Sequence, residues 1–201
     1  MNEIEELLQF WIGPASTDPI ESSKRTKLWY GSNPATDNKI RLLFSETLKR
    51  AERGELTDWA NTDQGSLALI ILLDQFSRHI YRGSADAFAN DNRALEVART
   101  AIDKRRDQRL SLIERAFMYH PFHHAESLPC QNQCVTLFEN LESVAPRASA
   151  RQISSFANSA RGHREIIRRF GRFPHRNDVL RRESSSDEIA YLKRDGKGFG
   201  Q

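Results

Sequence analysis

The chain has 201 residues, of which 38% are hydrophobic and 28% are charged, and its formal net charge is +3 at pH 7. A chain of this length can bury a substantial core, and we expect one helical domain over residues 1–201. The longest apolar run, 67–73, is far shorter than the roughly 20 residues of a membrane span. The first residues are acidic, unlike a secretory signal. The composition predicts a globular, cytoplasmic protein with no membrane partner.

Apolar side chains recur at helical spacing along most of the chain. Asn2 is placed to cap a first helix that ends at Trp11, and Asp37 is placed to cap a later one. The apolar run 67–73 could form a strand, but its pattern continues to Ile80 and therefore favours a helix. Residues of the segment 14–35 are predicted to be irregular, with a short helical stretch near 24–29, and those of 193–201 to be a flexible tail.

Capping residues set the predicted boundaries in the second half. Ser111 and Glu114 form a capping box, and Pro121 is expected to end the helix that follows it. Further helices are predicted at 86–102, from Ser127 onward, at 148–170 with Gly171 as the C-cap, at 174–180, and after the capping box of Ser185 and Glu188. About eight to ten helices result, which predicts an all-α fold of antiparallel pairs.

The two cysteines, Cys130 and Cys134, are four residues apart on a predicted helix. Side chains at this spacing point in parallel, which disfavours a disulfide, and no zinc or redox motif is present. We interpret them as partly buried free thiols.

Positive charge is concentrated near the end of the chain. The segment 161–182 holds eight arginines against Glu165 and Asp178, a local charge of +6. Such a segment could meet anions or form a solvated basic surface that pairs with acids elsewhere. Phe170 and Phe173 could stack on RNA bases, although their spacing favours a place in the core.

A second unusual feature is the change from apolar to charged residues after Leu73. Asp74 and Arg78 are one helical turn apart, as are Arg78 and Arg82, and Gln75 lies among them. Because a carboxylate entering a core requires a partner, these groups are expected in an interior polar network or in a cleft. The sequence alone leaves both alternatives open.

Histidines cluster between residues 120 and 126. His120, His123, His124 and Glu126 invite a metal interpretation, but the spacing does not match a zinc motif, and Pro121 is expected to interrupt the helix. We therefore predict no metal and no cofactor.

A third polar group follows His163. Gly171 permits a chain reversal, and Arg172, His175 and Arg176 surround the start of the short helix predicted at Pro174. This arrangement predicts an anion pocket, with a solvated basic surface as the alternative.

Several segments resemble a bacterial family described as domain of unknown function nine-two-four. The resemblance is carried by 10–13 (FWIG), 72–83 (LLDQFSRHIYRG) with 88–91 (FAND), 121–126 (PFHHAE) with Gln131, and 169–177 (RFGRFPHRN). It implies an all-α fold similar to tetratricopeptide-repeat proteins and no established activity. The motif positions that it carries over are Asp74, Gln75, Arg78, Arg82, Asp91, His124, Glu126, Gln131, His163, Gly171, Arg172, His175, Arg176 and Asn177.

This chain departs from the family pattern at a few positions. The family usually has Pro and then Arg-Asn where Ser77, Arg78 and His79 stand, and His120 and His123 fall outside its pattern. These departures weaken the metal interpretation further.

The leading hypothesis is a ligand-binding protein whose polar residues converge in one cleft and bind a small anionic or polar molecule. Arg78, Arg172 and Arg176 would clamp the anion, and Glu126 would orient His124. The second hypothesis is a hydrolase-type enzyme that uses His124, Glu126 or His163 as a general base. The third is a protein- or RNA-interaction module on 161–182, with nucleic acid the less favoured partner. The oligomeric state is not predicted.

Overall fold

The computed structural model describes residues 2–195, and that part of the chain is all α, with no β-strand. The fold class predicted from periodicity is therefore confirmed. The helices are α1 (Glu3–Trp11), α2 (Pro19–Tyr30), α3 (Pro34–Glu52), α4 (Asp63–Ile70), α5 (Ser77–Ile80), α6 (Asp91–Asp103), α7 (Leu112–His124), α8 (Leu128–Ser143), α9 (Arg147–Phe170) and α10 (Ser186–Asp195). None of these is long and apolar enough to cross a membrane.

A π-helical turn, Ile71–Phe76, joins α4 to α5 without a break. The rest of the regular structure consists of 3-10 turns at Gly13–Ser16, Thr57–Asn61, Ala85–Phe88, Asp107–Arg109 and Pro174–Arg176. The apolar run that could have formed a strand is thus helical throughout, as its continuation to Ile80 predicted.

Most predicted caps form as expected. Asn2 with Glu5 and Ser111 with Glu114 make reciprocal capping boxes. The backbone N–H of Glu188 also donates to the hydroxyl of Ser185. Gly171 ends α9 in the left-handed conformation at φ +71°.

Two predicted boundaries are wrong. Asn33, rather than Asp37, caps α3, so that Asp37 lies inside the first turn and is buried. Pro121 does not end α7, which continues to His124. Proline removes one backbone hydrogen bond from a helix, but the residues from Ala116 to His123 are all buried here, and their packing holds the helix through it.

Other predictions shift in extent. The segment 14–35, predicted to be irregular apart from a short helical stretch near 24–29, contains the twelve-residue helix α2, which includes that stretch and has Asp18 as its N-cap. The helix predicted from Asp86 is divided into a 3-10 turn and α6, and the helix predicted at 174–180 is only the turn Pro174–Arg176. Residues 193–195 belong to α10, and the rest of the predicted tail lies outside the described residues.

The helix that runs from α4 through the π turn to α5 is buried on every side and forms the centre of the core. Helices α1, α3, α6 and α7 pack around it, and α8 and α9 form a helical hairpin that packs on α7. The indole N–H of Trp29 donates to the carbonyl of Trp11 at 2.9 Å, which fixes α2 against α1. Cys130 and Cys134 are free and buried in this core.

Candidate functional site

A cavity of about 480 Å³ opens where α2, α5, α7 and α9 converge. Its size lies in the range of roughly 300–1,000 Å³ that is typical of small-molecule sites. Aromatic walls come from Trp29, Tyr30, Phe138 and Phe156. The polar lining consists of Thr26, Gln75, Arg78, His79, Arg82, His120, His123, His124, Gln152, Ser155, Ser159 and His163. We call this space the first cavity.

The π turn supplies the carboxylate behind this cavity. Asp74 is fully buried, and its carboxylate accepts a hydrogen bond from the side-chain amide of Gln75. Nη1 of Arg78 lies 3.3 Å from Oδ1 of Asp74 and also donates to the Asp74 backbone carbonyl at 2.7 Å. The predicted one-turn pair is therefore present, and it belongs to a buried network that borders a cavity. The sequence left open whether these residues form an interior polar network or line a cleft, and in the structure they do both.

Asp74 also holds His124. Nδ1 of His124 donates to Oδ1 of Asp74 at 2.7 Å, which places the ring proton on Nδ1 and the lone pair on Nε2. Burial and the nearby guanidinium of Arg78 lower the pKa of His124 well below its usual range, so its imidazole is neutral at pH 7. The prediction that Glu126 orients His124 is wrong. The Glu126 carboxylate instead accepts hydrogen bonds from Arg182 and from the backbone of Phe173.

Further histidines surround His124. Because α7 continues through Pro121, His120 lies one turn before His124, and their ring centroids are 5.7 Å apart. His120 donates through Nδ1 to the Ala116 carbonyl, and Nε2 accepts from the hydroxyl of Tyr30 at 3.0 Å. Burial lowers the pKa of His120 as well.

Two further histidines of the first cavity lie against each other. The rings of His123 and His163 have centroids 3.8 Å apart, and both pKa values are lowered mainly by burial, that of His163 to about 4. Despite this concentration of imidazoles, no three His, Cys, Asp or Glu side chains among the described residues are placed to hold one metal ion. The cavity thus presents neutral imidazole rings.

A second cavity of about 400 Å³ lies on the other side of His124. Its lining includes Asp91 from α6, Glu126 and Arg176, and Phe88 supplies an apolar wall. Arg176 is buried between the rings of Phe88 and Phe173, and its Nη1 lies 3.5 Å from Asp91. Asp91 also pairs with Arg78 at 3.0 Å, which links the two cavities through one charge network.

Arg82 does not join that network. Its Nε donates to Asp37 at 2.7 Å, and Nδ1 of His79 donates to the same carboxylate at 2.7 Å. Burial raises the pKa of Asp37, but these hydrogen bonds outweigh it and the pKa is lowered overall. Asp37 and His79 are not among the predicted site residues. The sequence places Asp37 at a helix cap, and it names His79 only as a departure from the family pattern.

Three predicted site residues have other roles in the structure. Gln131 is buried, and its amide nitrogen donates to the carbonyls of Phe122, His123 and Ala125, which caps the last turn of α7. Arg172 makes two hydrogen bonds to Glu188 at 2.7 and 2.8 Å and lines neither cavity. His175 packs against Phe173 and also lines neither.

The basic segment 161–182 is largely neutralised by carboxylates. Its arginines meet acids from several helices, which corresponds to the predicted alternative of a paired surface rather than an anion pocket at Pro174. The pairs are Arg161 with Glu139 and Glu142, Arg164 and Arg168 with Glu165, Arg172 with Glu188, Arg176 with Asp91, and Arg182 with Glu126. Phe173 is fully buried, as its spacing favoured.

Several polar atoms at the two cavities are buried and have no hydrogen-bond partner within the described part of the chain. In the first cavity they are both ends of the Gln152 amide, Nε of Arg78 and Nδ1 of His123. In the second cavity, Nε of Arg176 is likewise buried and has no hydrogen-bond partner among the described residues. A buried polar group without a partner costs about 1–3 kcal/mol. Such groups therefore concentrate where a bound molecule could satisfy them.

Comparison with known proteins gives a family but no activity. The model of the family described as "Bacterial protein of unknown function (DUF924)" matches residues 7–196. The solved structure of ATU0120, a protein of unknown function from Agrobacterium tumefaciens, is similar, with a TM-score of 0.76 and 34% sequence identity over 90% of this chain and 98% of that one. No curated protein matches.

Proposed function

This chain belongs to the bacterial family DUF924, and we propose that it binds a small polar molecule in the first cavity. The observation that carries the proposal is the concentration there of buried polar atoms without partners, on side chains from α5, α7 and α9. A structural network alone would satisfy these atoms within the protein, because unpaired buried donors are costly. A ligand would supply the missing partners.

The charges at this cavity favour an uncharged molecule over a polyanion. Arg82 is neutralised by Asp37, and Arg78 faces both Asp74 and Asp91. The surrounding imidazoles are neutral because burial lowers their pKa values. With no excess of positive charge, the site offers hydrogen bonds and aromatic surfaces rather than a clamp for a highly charged group.

Thermal-shift screening tests the proposal with two panels, one of neutral polyols, esters and amides and one of carboxylated and phosphorylated metabolites. A ligand at 100 times its Kd stabilises by about 2.7 kcal/mol, which raises the Tm of a chain of this size by roughly 5–10 °C. We expect such shifts in the neutral panel.

Two matched variants on α9 distinguish binding in this cavity from binding elsewhere. Ser155 lines the cavity and is exposed, so Ser155→Phe fills its entrance without disturbing the core. Asn158, also exposed, lines neither cavity, so Asn158→Phe is the control. Ligand shifts should disappear only in Ser155→Phe. Shifts that survive it, or no shift in either panel, contradict the proposal.

A further inference from the structure

His124 occupies a position that no other described residue shares, because it lines both cavities. Its Nδ1 is bound by Asp74, and no residue in the described part of the chain hydrogen-bonds to Nε2. A neutral imidazole that is oriented by a buried carboxylate and has a free ring nitrogen is the arrangement of a general base. We propose that His124 is the general base of a hydrolytic reaction on the molecule bound in the first cavity. This inference rests on the proposed function.

The attacking group in this reaction is water. No serine, threonine or cysteine side chain of the described residues hydrogen-bonds to His124, so no protein nucleophile is activated there. Nε2 of His124 takes a proton from water as one O–H bond breaks and one N–H bond forms. The resulting hydroxide attacks an acyl carbon, and the leaving group departs with the proton returned from Nε2. Asp74 is a positioning residue that stabilises the imidazolium.

Two guanidinium groups flank this base, one in each cavity. Arg78 lines the first cavity and Arg176 the second, both are buried, and Nε of each has no partner within the described residues. Fixed positive groups at the point of attack would stabilise the oxyanion that develops on the acyl oxygen.

The two cavities also fit the two parts of a carboxylic ester or amide. The acyl part and the alcohol or amine part can lie on opposite sides of His124, in spaces of about 480 and 400 Å³. The balanced charges that favour a neutral ligand also favour an acyl compound over a phosphate ester.

The test uses the full chain and p-nitrophenyl acetate as the probe. We expect His124→Gln to lower kcat at least 100-fold, within the range that general bases contribute, while KM changes less than twofold. Asp74→Asn should also lower kcat. Asp63→Asn is the matched control, since it removes a carboxylate from the first turn of α4 that pairs with Arg109 and lines neither cavity.

The pH profile separates a positioning role for Asp74 from a merely structural one. In the wild type, kcat should rise to a plateau with a midpoint below 6.5, because His124 must be neutral. Asp74→Asn should move that midpoint, whereas Asp63→Asn should not. The titratable and charged groups that face His124 are Asp74 and Arg78 on the central helix, His120 and His123 on α7, His163 on α9, and Arg176 and Asp91 at the second cavity.

Diethyl pyrocarbonate labelling keeps the proposal testable if a variant fails to fold. It modifies neutral imidazoles, and peptide mapping of the wild type should find His124 labelled at pH 7. No turnover above the buffer rate, unchanged kcat in His124→Gln, or an unlabelled His124 overturns the inference. A ligand shift that Ser155→Phe abolishes, together with any of these results, leaves the proposed function standing. Turnover by a wild type that shows no ligand shift in either panel contradicts the proposed function instead.

Discussion

The rings of His123 on α7 and His163 on α9 touch, with centroids 3.8 Å apart, and both residues are buried. Two imidazoles at this distance cannot both be charged without strong repulsion. The contact therefore favours the neutral form of both rings, which links the packing of α7 against α9 to pH.

We expect acid to destabilise the protein as the pH falls below about 6.5. Between the lowered folded pKa of about 4 and the ordinary value of 6.5, His163 binds a proton only in the unfolded state, so unfolding becomes more favourable as the pH falls. Its contribution is at most about 1.4 kcal/mol per pH unit. His175, with a pKa lowered to about 3, acts in the same direction.

Urea unfolding at about pH 7, 6 and 5 measures this effect. His163→Gln should flatten the dependence on pH, whereas Asn158→Ala should leave it unchanged. Burial raises the pKa of Asp91, so protonation of this carboxylate stabilises the folded protein as the pH falls and opposes the effect of the histidines. The difference between the wild type and His163→Gln isolates the contribution of His163. A free energy of unfolding that stays constant from pH 7 to pH 5 contradicts the prediction.

Gln131→Ala should destabilise the protein by about 1–3 kcal/mol, because it leaves the buried carbonyls at the end of α7 without a donor. Urea unfolding checks this value. Gln133, an exposed glutamine on the same helix, provides the control, and Gln133→Ala should change stability by less than about 0.5 kcal/mol. Equal effects of the two substitutions would show that the cap contributes nothing.

Arg172→Ala should weaken the attachment of α10 and leave ligand binding intact. The substitution leaves the carboxylate of Glu188, which is 2% exposed, without its charged partner, at a cost of about 1–3 kcal/mol. Limited proteolysis near α10 and urea unfolding measure the effect. Arg168→Ala removes only an exposed pair with Glu165 and should cost at most about 1 kcal/mol. A loss of ligand shifts in Arg172→Ala would place this arginine at the site after all.

The basic segment 161–182 should not bind RNA with useful affinity, because most of its arginines already contact carboxylates. Fluorescence polarisation with a single-stranded RNA at low and moderate salt is the measurement. Strong binding that weakens steeply as salt rises would show that these pairs open to phosphate.

Local signals in the sequence predict most of the helices and caps, but they do not predict which residues of different helices come into contact. Capping at Asn2 and Ser111 depends on residues three positions away, so it could be predicted directly. Asp74 and His124 are 50 positions apart, and their pairing depends on how α7 packs. Glu126, which the sequence predicts to orient His124, is only two positions away but accepts hydrogen bonds from Arg182 and Phe173 instead.

The cavity walls were missed for a related reason. Helix α2 has little apolar periodicity, so the sequence predicts only a short helical stretch near 24–29 within an irregular segment and does not mark Trp29 and Tyr30 as cavity walls. Pro121 was given its usual effect on a helix, although tertiary packing overrides it here, and His120 was therefore separated from His124. Gln152 and Ser159 are uncharged polar residues on an amphipathic helix, where such residues are common, so the sequence does not mark them as site residues.

The π turn at Ile71–Phe76 is equivalent to one extra residue in an otherwise continuous helix. The wider turn takes up that residue locally, so Arg78 and His79 keep the directions they would have in an unbroken α-helix one residue shorter. A single-codon deletion inside the π turn should therefore restore ordinary winding and leave both side chains facing nearly the same neighbours. A deletion within ordinary α-helix would instead rotate everything after it by about 100°.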